Sequence, residues 1–472
     1  MENIELIFVP APGTGHMVSA VEFSKRLIHR DGRIRITILF MKWFPNASVD
    51  AYMESLAASQ PDGIQVIHLP QVDLPSFDPT KSIESFFPAI VESYTPPVRN
   101  AVRDIVSMKS GSDETRVAGV VLDFFCSPMI DIATNFDLPS YIFFTTNAAF
   151  LGFMLYVPDR HSLNNSEFET SDPEHLIPGF ANPVPTCVLP SAVFSRMGVT
   201  PHISKPLKVG PVIDLNGLNY SNSDDKVMEW LDDQPQSSVV FLCFGSMGSF
   251  KAPQVKQIAL GLERSRVRFL WALRVPPPHN DASEMLPEGF LERVQGRGMI
   301  CDWAPQLKVL AHKAIGGFIS HCGWNSIIES LWFGVPIVTW PMYAEQQLNA
   351  FKMATELGLA VEIRLDYRKD SDELVMADEI EKAVGKVMDG ESEVRKKVKE
   401  MAEMTRKCIM EGGSSFNSIG RLIQDMDGEI SSMEYHDVCF EGEFVIKMSR
   451  SVLGAELQRS DIKGVVFVLV YL

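Results

Sequence analysis

The sequence has 472 residues, with 43 Lys and Arg against 60 Asp and Glu, a formal net charge of −17, and 46% hydrophobic residues. This composition excludes a disordered or collagen-like chain, and the length predicts roughly two or three globular domains. An acidic chain without a long basic run does not fit a nucleic acid or an anionic membrane as partner, because both bind clustered positive charge. We therefore expect a small-molecule substrate.

The cysteines and the chain ends indicate the compartment. Seven cysteines are scattered along the chain and form no Cys-x-x-Cys pair, which is typical of a reducing compartment. Residues 1–10 lack the basic start of a signal peptide, and the apolar run 465–472 is far shorter than the roughly 20 residues of a membrane span. We expect a cytoplasmic monomer without integral membrane association.

Short β-branched runs alternate with segments of helical period, the pattern of parallel sheets with crossover helices. In the first half the pattern predicts a helix over 18–28 and strands over 4–9, 34–41, 64–69, 117–122 and 141–144. In the second half it predicts helices over 254–263, 326–332 and 345–357, and strands over 239–244, 269–273, 298–301, 317–320 and 336–339.

These elements predict an α/β protein of two facing, Rossmann-like, doubly wound domains. We place the first domain at 1–212, a polar linker at 213–236, the second domain at 237–426 and an atypical extension at 427–472. Ligands of such sheets bind beyond the carboxyl ends of the strands, so the expected site is the cleft between the domains.

His16 ends the motif PAPGTGH, which follows the first strand and opens a helix. The glycines permit a tight turn near a ligand, but Gly-x-Gly-His is not the complete Gly-x-Gly-x-x-Gly pattern of a Rossmann dehydrogenase. A histidine here is either a functional group at the mouth of the cleft or a satisfied neighbour of the helix start.

Asp123 ends another predicted strand among apolar residues. A buried carboxylate needs a partner, and a His–Asp pair would orient an imidazole as a general base requires. The alternative is that Asp123 caps the helix predicted to start near Ser127. Spacing alone favours neither interpretation.

The densest group of polar and aromatic residues spans 303–346. The run from His321 to Ser326 leaves a strand and starts a helix, so its amides suit an anion such as a diphosphate. Glu329 lies one turn further and could accept hydrogen bonds from ribose hydroxyls, while Trp303 offers a flat face to a base. Tryptophan as core and histidine as surface is a possible interpretation for each residue separately, but it explains the whole group poorly.

This stretch resembles the signature box of plant family 1 UDP-sugar-dependent glycosyltransferases, the secondary-product box. Its Trp-x-Pro-Gln opening, His-Cys-Gly-Trp-Asn-Ser centre and Glu-Gln close are all present. The wider resemblance covers roughly residues 1–426 and includes PAPGTGH, FFTTNAAF and FLCFGSMGSF. It implies the GT-B fold, with an acceptor-binding N-terminal half and a donor-binding C-terminal half.

The resemblance also implies residue roles. His16 would be the general base that deprotonates the acceptor hydroxyl, and Asp123 its orienting partner. Donor contacts would come from Trp303 and Gln306 at the uridine, Glu329 at the ribose, Ser246, His321, Asn325 and Ser326 at the diphosphate, and Trp324, Glu345, Gln346 and Thr145 at the sugar.

A closing Gln, as at Gln346, is associated in the family with glucose, so UDP-glucose is the expected co-substrate. The implied reaction is a single inverting displacement without a cofactor or metal, since helix-dipole and side-chain hydrogen bonds neutralise departing UDP. The Asp-x-Asp at 425–427 is predicted to be solvated surface. An apolar acceptor pocket is expected from the aromatic and methionine side chains Phe124, Phe125, Phe150, Phe153, Met154 and Phe194, although such residues are more often plain core.

Two segments depart from the family. Relatives carry a helix and a strand between the positions of Val193 and Val212, and this chain lacks about forty residues there, comparable to a βαβ unit. The resemblance therefore predicts an N-terminal sheet that lacks a strand.

The tail 427–472 has no family match. Its runs 442–448 and 465–471 are either strands or translated non-coding sequence, and the latter is favoured. A truncated, inactive or UDP-binding-only relative is the alternative to an active glucosyltransferase.

Overall fold

The computed structural model describes residues 2–42, 52–56, 58, 61–74, 87–109, 115–164, 168–169, 171–194, 205–215, 225–276, 278–279, 281–369, 371–427 and 466–469. The chain forms two compact units. The first comprises Met1–Asn165, Gly198–Ile213 and Cys408–Leu472, and the second comprises Ser166–Met197 and Asp214–Lys407. No helix among the described residues is both long and apolar enough to cross a bilayer.

The described strands are β1 Asn3–Val9, β2 Ile34–Phe40, β3 Ile64–His68, β4 Thr115–Asp123, β5 Ser140–Phe144, β6 Lys205–Lys208, β7 Val239–Cys243, β8 Arg268–Ala272, β9 Gly298–Cys301, β10 Ile315–Ser320, β11 Ile337–Thr339, β12 Ala360–Glu362 and β13 Val466–Leu469. The helices are α1 Thr14–Arg30, α2 Phe87–Lys109, α3 Ile130–Thr134, α4 Ala148–Asn164, α5 Asp225–Asp232, α6 Ala252–Ser265, α7 Phe290–Arg293, α8 Gln306–Ala311, α9 Trp324–Trp332, α10 Gln346–Phe351, α11 Ala377–Met388, α12 Glu393–Ile409 and α13 Ser414–Met426.

In its described residues the first unit contains a seven-stranded parallel sheet in the order β3-β2-β1-β4-β5-β13-β6. Strands β1, β2, β4 and β5 are mostly buried on both faces, which explains their continuous apolar runs. Helix α2 covers one face with a stripe of Ile90, Tyr94, Val98 and Val102, spaced four residues apart and all buried. This core fixes the carboxyl ends of β1, β4 and β5 side by side.

The predicted loss of a strand concerns the shortened segment between Val193 and Val212, of which the structure describes one short strand, β6. Tail residues Val466–Leu469 form β13 between β5 and β6. Of the two interpretations given for the run 465–471, the structure shows a strand over Val466–Leu469. The second candidate strand, 442–448, lies outside the described residues.

The second unit contains a six-stranded parallel sheet, within the described residues, in the order β12-β11-β10-β7-β8-β9. Its core is built around large, fully buried side chains that include Trp271, Trp340 and Phe269. The strand and helix predictions given above for both halves lie within a few residues of the described elements. The α/β prediction is thereby confirmed.

The compact units do not coincide with the predicted domain boundaries. Residues 166–197 belong to the second unit, where Glu356 accepts hydrogen bonds from the backbone N–H groups of Ala181 and Asn182. Helix α13 belongs to the first unit, where Arg30 lies over the Phe416 ring. The predicted linker 213–236 contains α5.

Candidate active site

Three side chains meet at the carboxyl ends of β1, β4 and β5. His16 lies in the first turn of α1, directly after β1. Its Nδ1 is 2.7 Å from Asp123 Oδ2 and 3.1 Å from Thr145 Oγ1. Strands β1, β4 and β5 are neighbours in the parallel sheet, so their carboxyl ends lie side by side. The side chains at these ends, His16, Asp123 and Thr145, are therefore close together. A carboxylate at Nδ1 favours the tautomer with the proton on Nδ1, so Nε2 carries the lone pair that a base needs.

Asp123 makes a contact of each kind that the sequence left open, one with an imidazole and one with a helix start, although the helix begins at Phe124 and not near Ser127. Oδ2 pairs with His16, and Oδ1 accepts a hydrogen bond from the Phe125 N–H at 3.0 Å, capping the short 3₁₀ helix Phe124–Met129. The carboxylate is 2% exposed. Two hydrogen bonds at opposite oxygens fix its rotamer, so the imidazole is held by an immobilised partner.

A row of phenylalanines adjoins the imidazole. The centroids of the Phe125 and Phe124 rings lie 5.4 and 6.0 Å from that of His16. The row continues through Phe144 to Phe150 and Phe153, with successive centroids 5.1, 6.1 and 5.9 Å apart. Phe124, Phe125, Phe150 and Met154 are half-buried, whereas Phe153 is buried. The side chain of Phe194 lies outside the described residues.

In the second unit, Gln306, Ser326 and Glu329 form one hydrogen-bonded group. Gln306 Nε2 donates to Glu329 Oε2 at 2.7 Å and to Ser326 Oγ at 3.0 Å. Although Glu329 retains some exposed surface, burial of its carboxylate raises its pKa to about 7. A ligand hydroxyl that donates a hydrogen bond to this carboxylate would stabilise its charged form and lower its pKa.

His321 follows β10 and is buried between two glycines. A Cβ added at Gly245 or at Gly323 would lie 2.6 Å from His321 Nε2, so neither position accepts a side chain without displacing the ring. His321 Nδ1 has no hydrogen-bond partner among the described residues. Burial lowers the pKa of His321 to about 4 and keeps the imidazole neutral.

The helix start beside His321 supplies donors. Asn325 and Ser326 occupy the first turn of α9, whose N-cap is Gly323, and Ser246 is exposed in the turn after the neighbouring strand β7. Unsatisfied N–H groups in a first turn attract an anion. The orphaned imidazole nitrogen, the glycine-lined backbone and the helix start together fit a diphosphate.

The two tryptophans predicted to contact the donor differ in exposure. Trp303 is 55% exposed, which excludes the core interpretation and leaves its ring open to stacking. Trp324 is 6% exposed and mostly packed inside the unit. Burial of this kind leaves little of its surface for a sugar.

Gln346 and Glu345 begin α10. Gln346 Oε1 accepts hydrogen bonds from the backbone N–H groups of Met342 and Tyr343 at 3.0 and 3.1 Å, which fixes the amide orientation and directs Nε2 to its other side. Glu345 Oε1 accepts from Asn349 Nδ2 at 3.4 Å. The side chains are thus tied to the turn that precedes the helix.

Asn349 is a residue that the sequence interpretation missed. It is fully buried, and its Nδ2 donates to the Cys322 carbonyl at 2.9 Å. Cys322 has a φ of 62°, a conformation that non-glycine residues rarely adopt. Asn349 therefore stabilises the strained residue between His321 and Gly323. No sequence signal beyond its position four residues after Glu345 indicated this role.

The described residues contain no group of three or more His, Cys, Asp and Glu side chains placed to hold a metal ion. Metal independence remains a prediction. Asp427, predicted as solvated surface, is instead half-buried and accepts from Arg33 at 2.9 Å, whereas Asp425 is exposed.

One parallel α/β unit with a His–Asp pair and another with a glycine-lined anion site at a helix start correspond to the GT-B class of glycosyltransferase. Comparison with known proteins agrees. The family model for UDP-glucoronosyl and UDP-glucosyl transferases matches residues 203–405. The chain is similar to UDP-glycosyltransferase 71K2 of Pyrus communis, at 48% identity over 92% of this chain and all of the relative. It is also similar to the flavonol 3-O-glucosyltransferase UGT71C4 of Arabidopsis thaliana, at 45% identity over 92% of this chain and all of that enzyme.

Among solved structures, Medicago truncatula UGT71G1 complexed with UDP-glucose matches with a TM-score of 0.80 and 44% identity, over 90% of this chain and 98% of that one. The chain belongs to the plant UDP-glycosyltransferase family, and the predicted resemblance and fold are confirmed. The alignment with the pear relative extends over 482 positions although it uses 92% of this chain. That relative therefore carries residues that this chain lacks.

Proposed function

We propose that this protein is an inverting glucosyltransferase that moves glucose from UDP-glucose to a hydroxyl of a small lipophilic acceptor of the phenolic, flavonoid, terpenoid or hormone-like kind. The observation that carries the proposal is the contact of 2.7 Å between His16 Nδ1 and Asp123 Oδ2 in a chain that also has the complete donor box. A similar flavonol 3-O-glucosyltransferase and a similar structure complexed with UDP-glucose support the donor and the acceptor class.

On the acceptor side, His16 removes the proton from the attacking hydroxyl through Nε2. Asp123 stabilises the imidazolium that forms, because its buried carboxylate faces Nδ1. General-base assistance of this type contributes roughly 10²–10⁴-fold to the rate. The half-buried rings of Phe124, Phe125 and Phe150 belong to the row that adjoins the base, and they provide an apolar surface for an aromatic or terpenoid body.

On the donor side, the exposed Trp303 stacks on uracil, Gln306 contacts the uridine, and Glu329 accepts from the ribose hydroxyls. His321, Ser246 and the first turn of α9 bind the diphosphate. The neutral imidazole of His321 donates a hydrogen bond through Nδ1, which has no partner in the described part of the chain. These donors stabilise the charge that develops as UDP leaves.

On the resemblance, we assign the sugar contacts to Trp324, Glu345, Gln346 and Thr145. Gln346 keeps its Nε2 for a glucose hydroxyl because Oε1 is engaged by backbone N–H groups. The burial of Trp324 makes it the weakest of these assignments.

We further propose that the reaction needs neither cofactor nor metal, and that the protein acts as a cytoplasmic monomer. The described cysteines form no disulfide with one another, as a reducing compartment requires.

The test is incubation of the purified chain with UDP-glucose and a mixed panel of phenols, flavonols and terpenoid alcohols, followed by mass spectrometry. Addition of one hexose to a panel member, with stoichiometric UDP release, is the expected result. The alternative is a UDP-binding-only protein. It predicts that UDP raises the melting temperature while no panel member gains a hexose, an outcome that contradicts the proposal.

A further inference from the structure

The first sheet contains a strand position, between β5 and β6, that is filled by a segment from a distant part of the sequence. Among the described residues, the next strand of this unit after β5 and α4 is β6, and β6 lies at the edge of the sheet and does not pair with β5. The strand between them is β13, which comes from the other end of the sequence. It runs parallel to both neighbours, with Phe467 opposite Ile142 of β5 and opposite Pro206 of β6.

The composition of these strands agrees with their positions. Residues 465–470 read Val-Val-Phe-Val-Leu-Val, the continuous apolar run of a strand paired on both sides in a parallel sheet. Pro206 lacks an N–H, and proline is tolerated in a strand only at an edge, where β6 lies. An exposed run like 465–470 is an aggregation hazard, whereas the same run inside a sheet is protected.

The chain leaves α13 next to the position where β13 begins. Asp425 Oδ2 accepts a hydrogen bond from the Tyr141 hydroxyl at 3.5 Å, and Tyr141 is the partner of Val466 in the β5–β13 register. Asp427 is held by Arg33 and Arg116, which stand at the starts of β2 and β4. The helix end and the start of β13 thus both adjoin the amino end of the sheet, as a parallel strand requires.

Strand β5 connects this position to the candidate active site. All five β5 residues are buried, so a backbone edge left open there would place polar groups without partners inside the protein. The residue that directly follows β5 is Thr145, and its Oγ1 lies 3.1 Å from His16 Nδ1. Loss of the neighbouring strand therefore acts on the end of β5 that contacts the imidazole.

We propose that the C-terminal strand β13 is an integral part of the first sheet, that it fills from the tail the position between β5 and β6, the short strand of the segment between Val193 and Val212, and that it positions Thr145 against His16. The tail is thereby a working element of this chain and not a dispensable extension. This inference concerns the sheet and does not depend on the sugar or the acceptor.

The first experiment maps the register in the full-length chain by cysteine crosslinking. Lys205 and Val466 are directly paired, so Lys205→Cys with Val466→Cys is expected to form a disulfide on mild oxidation, detected as a linked peptide. The control pair, Lys205→Cys with Val468→Cys, is offset by two residues and is expected to crosslink at least about tenfold less. Equal yields from the two pairs, or none from either, would overturn the assignment.

The second experiment removes or breaks the strand. A stop after Lys463, or Val468→Pro, is expected to raise amide exchange over residues 140–144 by about tenfold or more, because β5 loses its partner. Val468→Ile keeps the N–H and the β-branched side chain and is expected to behave as wild type. Addition of a synthetic peptide of residues 464–472 to the truncated protein is expected to restore protection, as in donor-strand complementation.

These readouts separate the inference from the proposed function. UDP binding, which belongs to the second unit, is expected to remain within about twofold of wild type in Val468→Pro, while glucosyl transfer falls. Wild-type exchange over 140–144 in the truncated protein would refute a role for β13 whether or not the chain transfers glucose. If truncation makes the protein insoluble, the crosslinking result in the full-length chain decides.

Discussion

The raised pKa of Glu329 gives a prediction with a definite sign. Burial shifts the pKa of this carboxyl from 4.5 to about 7, against the smaller, opposite effect of the hydrogen bond from Gln306. The folded protein therefore binds the proton more tightly than the unfolded chain does. Ionised Glu329 lowers stability; this penalty is absent below pH 4.5, grows between pH 4.5 and about 7, and is complete above.

The substitution Glu329→Gln removes the charge and keeps an oxygen that accepts from Gln306. At about 1.4 kcal/mol per pKa unit, the full penalty is about 3 kcal/mol, an upper figure because the unit relaxes and water has partial access. We expect the variant to gain up to that amount in free energy of unfolding, relative to wild type, on going from pH 4.5 to pH 8. UDP affinity at pH 8 is expected to fall about tenfold, because a charged acceptor becomes neutral.

The assay is urea unfolding of wild type and variant at pH 4.5, 6 and 8, with UDP affinity measured by calorimetry at pH 8. Glu403→Gln, an exposed glutamate on α12 of the same unit, is the matched control and is expected to show no such pH-dependent gain. A stability difference between Glu329→Gln and wild type that does not change with pH would refute the reasoning about burial.

Three further substitutions test individual roles. Asp123→Asn keeps an oxygen to cap Phe125 but loses the charge facing His16, so kcat is expected to fall about 10²-fold at a nearly unchanged melting temperature; a normal kcat would contradict the pair. Trp303→Ala is expected to weaken UDP binding by about 1–3 kcal/mol, the range for stacking of a base on an aromatic ring, with little effect on stability, since the side chain is 55% exposed; unchanged affinity by calorimetry would argue against stacking. Gln346→His is expected to lower the rate ratio of UDP-glucose to UDP-galactose, and an unaltered ratio would count against the sugar assignment.

The local pattern of apolar and polar residues was sufficient to predict much of the fold. Buried parallel strands are continuous apolar runs, so β1, β4 and β10 were recognisable without knowledge of their partners. Helix α2 was missed because Pro96 and Pro97 lie inside it and normally interrupt a helix. There the buried apolar stripe of the helix outweighs local propensity.

The pairing of distant segments was not readable from the sequence. Strand β13 is specified by neighbours more than 250 residues away, and an apolar run of that length is a strand only if a sheet has room for it.

The site was predictable in its chemistry and less so in its geometry. The sequence placed His16 and Asp123 after neighbouring strands, yet it could not show that one carboxylate both orients the imidazole and caps the following turn. Trp324 was assigned to the sugar by resemblance, although packing buries it. Asn349 escaped notice because its role depends on the unusual backbone of Cys322, which no motif records.

The central claim is that the imidazole of His16 performs the proton transfer while the second unit binds the donor. Its most direct measurement is the glucosyl-transfer rate of His16→Ala beside its UDP affinity, with His29→Ala, an exposed histidine of the same helix, as control. The account predicts a loss of roughly 10²–10⁴-fold in rate with UDP affinity unchanged, and wild-type behaviour of the control. Transfer by His16→Ala at the wild-type rate would contradict it.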